Sequence, residues 1–335
     1  MNSLAVACLL LAHEKESRYR RRYIQRSLRD ADNIWHMESF LFRKNFRLSK
    51  QMMKKLIDDL KPFAEQKATC KTKWGIPFYL QVLAALHFFC RGSFQSSVGY
   101  LNNMSQPSVS RSIKFVTNLI LEHITSKHVK FPMTKAEKDG KKQRFVAKFG
   151  MEGIIGCIDC AHIKIVAPPS NDPIVPAALY LNHKGYHSIN VEIICDADEK
   201  ILFANARYPG STPDEALWEV SPIRHHLSNK NESETYLLGD SDYPLEPWLL
   251  TPFTNTENDA ENKFNVLHEE TRSTISKTIS NIKSRFRCLL RTLHYNPAFA
   301  GKIIYVVLTL YNMCQENEDD IEVISDDETE PSKLY

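Results

Sequence analysis

The chain has 335 residues, 43% of them hydrophobic and 25% charged, and no fixed-period repeat, which excludes a fibrous or wholly disordered chain and sets aside solenoids and propellers. The net charge of +3 conceals a division, with 28 Lys/Arg against 11 Asp/Glu in residues 1–150 and 15 against 29 in residues 151–335. A basic front half before an acidic rear half suggests a polyanion-binding module followed by something different, although two ordinary solvated surfaces would give the same counts.

The apolar run Leu4–Ala12 is far shorter than the ~20 residues that span a bilayer, so an amphipathic first helix is expected rather than a membrane segment or secretory signal. Arg18, Arg20, Arg21, Arg22, Arg26 and Arg29 follow, a cluster suited to nuclear import, to phosphate contact or simply to a solvated helix face. This basic segment covers residues 1–34. A helical domain is expected over 35–130. Met37, Phe40, Leu41, Phe46, Met52, Met53, Leu56 and Leu60 recur at helical steps, and the nearly all-apolar Pro77–Cys90 belongs in the middle of a helical domain.

Two short helices with a break at Asn102–Asn103 come next, one carrying Phe94, Val98 and Leu101, the other Val109, Ile113 and Val116. Ser105-Gln106-Pro107 marks the start of the second, since Ser caps helices and Pro tolerates the first turn. Such a pair describes a helix-turn-helix whose exposed face offers Ser108, Ser110, Arg111 and Lys114 to phosphates and base edges, though short helix pairs also occur in domains that never meet nucleic acid.

Residues 131–150 read as a basic connector, and beyond it the periodicity turns from helix to strand. Ile154–Val166, Tyr186–Cys195 and Ile201–Tyr208 suggest an antiparallel meander, followed by a helical interval, a short strand at Thr235–Gly239, and helices at Thr271–Leu293 and Ala300–Asn312. That order is the mixed α/β order of an RNase H-like core over 151–312. The tail, 313–335, is strongly acidic and is expected to be disordered. The eight cysteines lie mostly in apolar stretches, which reads as reduced, buried thiols; Cys157 and Cys160 have CxxC spacing, but no second pair completes a zinc site.

Three carboxylates sit where the chain changes element. Asp159 interrupts an apolar strand, where a charge is costly unless paired or bound to metal. Asp214 follows a strand in Pro-Gly-Ser-Thr-Pro-Asp, and Asp240 ends one in Leu-Leu-Gly-Asp-Ser. Oxygen ligands gathered at strand ends suit hard divalent cations, and two such ions can activate water and stabilise a leaving oxygen in phosphodiester cleavage. Equally, Asp214 could cap a helix and Asp240 could shape a turn. His162 reads as a packing residue, and Lys184 and His187 as a solvated strand start or a phosphate contact.

Seven segments in order resemble a Harbinger-type transposase-derived nuclease of the DDE endonuclease superfamily, over about residues 35–312. They are Gly92-Ser93-Phe94-Gln95, Ser105–Arg111, Gly156–Ile163, Lys184–Val191, Pro209–Asp214, Gly239–Pro244 and Lys283–Leu289. The resemblance implies a helix-turn-helix region, an RNase H-like core binding Mg²⁺ or Mn²⁺, DNA as substrate, a separate Myb-like DNA-binding partner, and nuclear location, with a cytoplasmic pool open. Three of its metal ligands match Asp159, Asp214 and Asp240. The fourth is a Glu in a late-helix frame of Arg, three residues, Glu, six residues, Lys. Arg272 and Lys283 hold that frame, and the Glu position is Ser276. Offsets of four and eleven residues fall within about 40° on a helical wheel, so the stripe is intact and only the carboxylate is missing. Asp242, where the family usually has Gly, is a second departure.

Two functions therefore compete: a metal-dependent DNA endonuclease impaired at Ser276, and a domesticated, catalytically inactive nuclear protein that binds DNA or a partner. An ordinary helix-turn-helix transcription factor would leave the α/β half unexplained. Arg272 and Lys283, with Ser108, Arg111 and Lys114, are the expected DNA contacts.

Overall fold

A computed structural model describes residues 34–67, 75–101, 104–169, 176–228 and 234–316. The arginine cluster and apolar run of the first 33 residues, the break at Asn102–Asn103 and the acidic tail from 317 onward lie outside the described residues. The chain divides into two compact units, one ending at Val116 and the other beginning at Thr117.

The first unit is helical: α1 Ser39–Phe46, α2 Lys50–Lys67, α3 Phe78–Arg91, α4 Gln95–Leu101 and the start of α5, Gln106–His123. As its apolar sequence requires, α3 is buried along most of its length, from Val82 to Cys90, and it ends at Gly92 in a left-handed cap whose N–H donates to Phe88 O. It packs with Phe42, Phe46, Met53, Leu56 and Leu60 of the two preceding helices. Val109, Ile113 and Val116 of α5 are fully buried, while Arg111 and Lys114 lie on the exposed side. The second helix of the expected pair is not short; α5 runs for 18 residues because the apolar spacing continues through Leu119 and Ile120.

The second unit holds a five-stranded mixed sheet. In chain order its elements are the end of α5, then α6 Thr125–His128, α7 Lys135–Phe149, β1 Ile154–Lys164, α8 Ala177–Tyr180, β2 Ser188–Cys195, β3 Ile201–Pro209, α9 Asp214–Glu219, α10 Pro222–Ser228, β4 Tyr236–Leu238, β5 Leu249–Leu250, α11 Asp259–Arg285 and α12 Pro297–Glu316. The strand order is β3-β2-β1-β4-β5. β1, β2 and β3 form the antiparallel meander, and β4 joins β1 in parallel with Cys157 opposite Leu238.

One face of the sheet carries the main core of Ile155, Ile158, Ile194, Leu202, Trp218, Leu237, Tyr243 and Leu249. The other face of β1 meets α11, where Cys157 Sγ lies 3.6 Å from Thr271 O. Alternation along the strand makes this division beyond the irregularity between Ile154 and Gly156: Ile158 and Cys160 lie on the core side, and Cys157 and Asp159 on the helix side. Cys160 therefore points away from Cys157, towards Tyr243 Oη at 3.3 Å, and the pair cannot share a zinc ion.

The basic stretch 131–150 holds α7, opened by a capping box in which Thr134 and Glu137 each accept from the other's backbone N–H. Its charges are paired: Lys141 reaches Asp196 at 2.7 Å and Arg144 reaches Asp198 at 2.6 Å, both acids lying on the β2–β3 turn. α11 begins at Asp259, twelve residues before the predicted start, because its first turns are polar and show no apolar stripe; Asn258 caps it by accepting from Glu261 N at 2.9 Å. α12 is the one helix among the described residues long and apolar enough to cross a membrane, and 72% of that stretch is buried inside the unit. Asn312 ties it to β3, accepting from Ile201 N at 2.8 Å and donating to Ile201 O at 2.7 Å.

Candidate active site

Asp159 stands on the α11 side of β1, where burial is incomplete because β4, the parallel neighbour, ends at Leu238. Asp159 and Asp240 each follow two residues after the parallel pair of Cys157 with Leu238, and both bring an Oδ2 within 3.6 Å of Nη1 of Arg272 on α11. Asp240 does shape a turn: its Oδ1 accepts from Asp242 N at 3.1 Å. The side chain of Asp242 is exposed, so its replacement of the expected Gly leaves this backbone contact in place.

Asp214 is the first residue of α9, and it makes no cap there; Pro213 holds the N-cap position without a side-chain bond. Its Oδ1 instead accepts from Asn190 Nδ2 at 2.7 Å, and the same amide donates to Thr212 O at 3.0 Å. Asn190 is buried on β2 and sets the position of Asp214, a role that no reading of the sequence assigned. A polar residue amid the apolar run of β2 was the available signal. The turn leading there is tight. A Cβ on Gly210 would lie 2.2 Å from Ser188 Oγ and 2.8 Å from two carbonyl oxygens, so the Pro-Gly-Ser segment admits only glycine at that point.

The three acids share one field. Burial raises Asp159 to about 6, and the negative charges of Asp240 and Asp214 add to that shift against the hydrogen bond from Cys160 N. Asp240 is raised as well, first by burial and also by Asp242 and Asp214. Arg272 on α11 opposes both shifts. Its Nη1 lies 3.6 Å from Asp159 Oδ2 and 3.5 Å from Asp240 Oδ2, so this side chain spans two of the acids rather than facing outward as a DNA contact.

One turn along α11, Ser276 is exposed and borders a cavity of about 260 Å³. Asp159, His162, Lys184, Tyr186, Ile279 and Lys283 line the same space. The stripe of Arg272, Ser276 and Lys283 is thus real, and it faces the acids. Burial lowers the Lys283 pKa, and Lys184 lowers it further, while Asp159 pulls it back up. His162 Nδ1 lies 3.1 Å from Ser188 Oγ, and burial lowers its pKa against the raising charge of Asp214. Ser108, Arg111 and Lys114 belong to the other unit, where Arg111 Nη2 donates to Ser108 Oγ at 3.2 Å.

The donors are of the type a hard divalent ion takes, and as they stand they are engaged by other partners. Among the described residues no three His, Cys, Asp or Glu side chains converge to hold an ion, and Arg272 spans Asp159 and Asp240.

A family model described as DDE superfamily endonuclease matches residues 158–312. The candidate nuclease HARBI1 of Homo sapiens is 36% identical over 244 residues, covering 72% of this chain and 68% of that protein. Its Xenopus laevis counterpart is 33% identical over 244 residues, 72% of this chain and 69% of that one. The ALP1-like protein of Arabidopsis thaliana is 26% identical over 301 residues, covering 83% of this chain and 71% of that one. No solved structure matches.

Proposed function

The chain belongs to the Harbinger transposase-derived nucleases of the DDE endonuclease superfamily, and on that premise we propose that it is a divalent-metal-dependent DNA endonuclease strongly impaired in this copy. The observation that carries the proposal is Ser276. It lies on the helix stripe that faces Asp159 and lines the cavity beside it, where the family's frame calls for a glutamate. Asp159, Asp214 and Asp240 would hold the Mg²⁺ or Mn²⁺ of such a site, which would supply water activation and charge stabilisation at the leaving oxygen. A neutral, short side chain subtracts one negative charge from that cage and leaves one position to water.

The remaining parts take the roles the chemistry requires. The sheet and its helices serve as an RNase H-like core with Asp159, Asp214 and Asp240 as its catalytic acids. Lys184 and Lys283, on two sides of the cavity, meet a phosphate. α4 and α5 serve as a helix-turn-helix whose Ser108, Arg111 and Lys114 meet DNA, a reading supported by the exposure of Arg111 and Lys114 opposite a fully buried apolar stripe. A Myb-like partner supplies targeting, and the protein works in the nucleus. A second reading, a retired enzyme that binds DNA or a partner without cutting, is favoured by the same Ser276 and by the guanidinium that spans two of the acids.

Plasmid cleavage in Mg²⁺ and in Mn²⁺ tests the proposal. Ser276→Glu is expected to cut at least ~10-fold faster than the wild type, and Asp159→Asn to abolish the gain. Robust wild-type cleavage that Asp159→Asn abolishes would overturn the impairment. Retained DNA binding with no cleavage by either protein would select the second reading.

A further inference from the structure

We infer that Arg272 is a built-in counter-cation, a guanidinium that holds Asp159 and Asp240 together and competes with a divalent ion for the space between them. The inference rests on the reading of these acids as a cation site and goes beyond it, because it assigns the weakness of the site to a residue that is present as well as to one that is missing.

Both carboxylates are already committed. Asp159 Oδ1 accepts from Cys160 N at 2.7 Å, and its Oδ2 faces Arg272 Nη1. Asp240 repeats the pattern, with Oδ1 taking Asp242 N and Oδ2 facing the same Nη1. The three side chains are only 19–26% exposed, so water screens these contacts less than it would at the surface. An ion entering the gap would have to expel the guanidinium or sit beside a like charge.

Ser276 strengthens the arrangement. A glutamate there would stand four residues after Arg272, the spacing at which helical side chains pair, and would offer the guanidinium a partner on its own helix. Serine offers none, and Arg272 settles on the strand-borne acids. Loss of the fourth carboxylate and capture of the arginine are then one event seen from two sides.

The test is Mn²⁺ binding by the full chain, followed by calorimetry and by melting temperature. Arg272→Gln is expected to bind Mn²⁺ at least ~10-fold more tightly than the wild type. Adding Asp159→Asn should remove that gain. In EDTA, Arg272→Gln melts below the wild type and recovers when Mn²⁺ is added, whereas the wild-type melting temperature does not respond. Arg272→Lys, which keeps the charge, stays near wild-type affinity. Wild-type binding as tight as that of Arg272→Gln, and dependent on Asp159, would overturn the counter-cation and leave the metal reading standing, as would an equal gain in Arg272→Lys. Absence of Mn²⁺ binding in Arg272→Gln, even combined with Ser276→Glu, would overturn both.

Discussion

Glu192 offers the sharpest test of how the second unit is built. It lies in the middle of β2, opposite Cys160 on one side and Asn205 on the other, and is fully buried. The Ser221 hydroxyl is the polar group that acts on its carboxyl, and Oδ1 of the facing Asn205 is without a partner. Burial pushes the group from 4.5 up to about 8, against a smaller opposing pull from Ser221. The carboxyl is therefore protonated in the fold at neutral pH and ionised in the unfolded chain. Between pH 4.5 and 8 the folded state holds more protons than the unfolded one, so stability falls as pH rises, by up to ~1.4 kcal/mol per unit. Across that window the loss amounts to roughly 4–5 kcal/mol, a large share of a typical domain's stability. Glu192→Gln keeps the shape and cannot ionise. Urea unfolding followed by circular dichroism from pH 5 to 8.5 should show the variant gaining on the wild type with each pH unit. Asp159 and Asp240 give slopes of the same sign, but they are common to both proteins and cancel in the difference. Parallel pH profiles for the two proteins would mean that Glu192 is ionised and solvated in the fold, and the reasoning would fail.

Two further substitutions probe what positions the site and the helix pair. Asn190→Leu should leave Asp214 Oδ1 and Thr212 O without their donor and cost about 1–3 kcal/mol, read from urea midpoints; an unchanged midpoint would show that Asn190 does not hold the turn. Gly99→Ala places a Cβ 2.5 Å from Met104 O and 3.5 Å from Val109, so the backbone at Met104 must shift. The expected cost is about 1–3 kcal/mol, with DNA affinity reduced in a gel-shift assay, and wild-type stability would show that this backbone relaxes freely.

Much of this architecture is legible in the residues because single physical causes dominate there. The all-apolar α3 and the β-branched meander each follow from burial alone, and both are buried. Elements without an apolar pattern were harder. The polar first half of α11 hides its helicity, and β5, with two residues, has no periodicity to find. The charge of residues 131–150 conceals α7, although Thr134 and Glu137 stand at capping-box spacing. At the site, the positions of Asp159 and Asp240 were readable, whereas the partners of Arg272 were not. A helical wheel shows which way a side chain faces, but not which of two opposite charges, phosphate outside or carboxylate inside, it meets first.

If Ser276 stands where a fourth acid would, the persistence of the other three has a structural explanation. Asp159 and Asp240 stand together because β1 and β4 pair in parallel over a core of Ile155, Ile158, Leu237 and Leu249, and Asp214 is held by Asn190. None of these contacts needs a cation, so selection for a stable fold preserves the arrangement of the three acids whether or not cleavage is still required. Position 276 is an exposed helix site, where a change costs the fold little. A lost enzyme of this architecture should therefore fail first on the late helix, with its strand-borne acids intact and their charge taken over by whatever cation the helix already carries. On the proposed reading Arg272 is that cation in this chain, with Nη1 3.6 Å from Asp159 Oδ2 and 3.5 Å from Asp240 Oδ2.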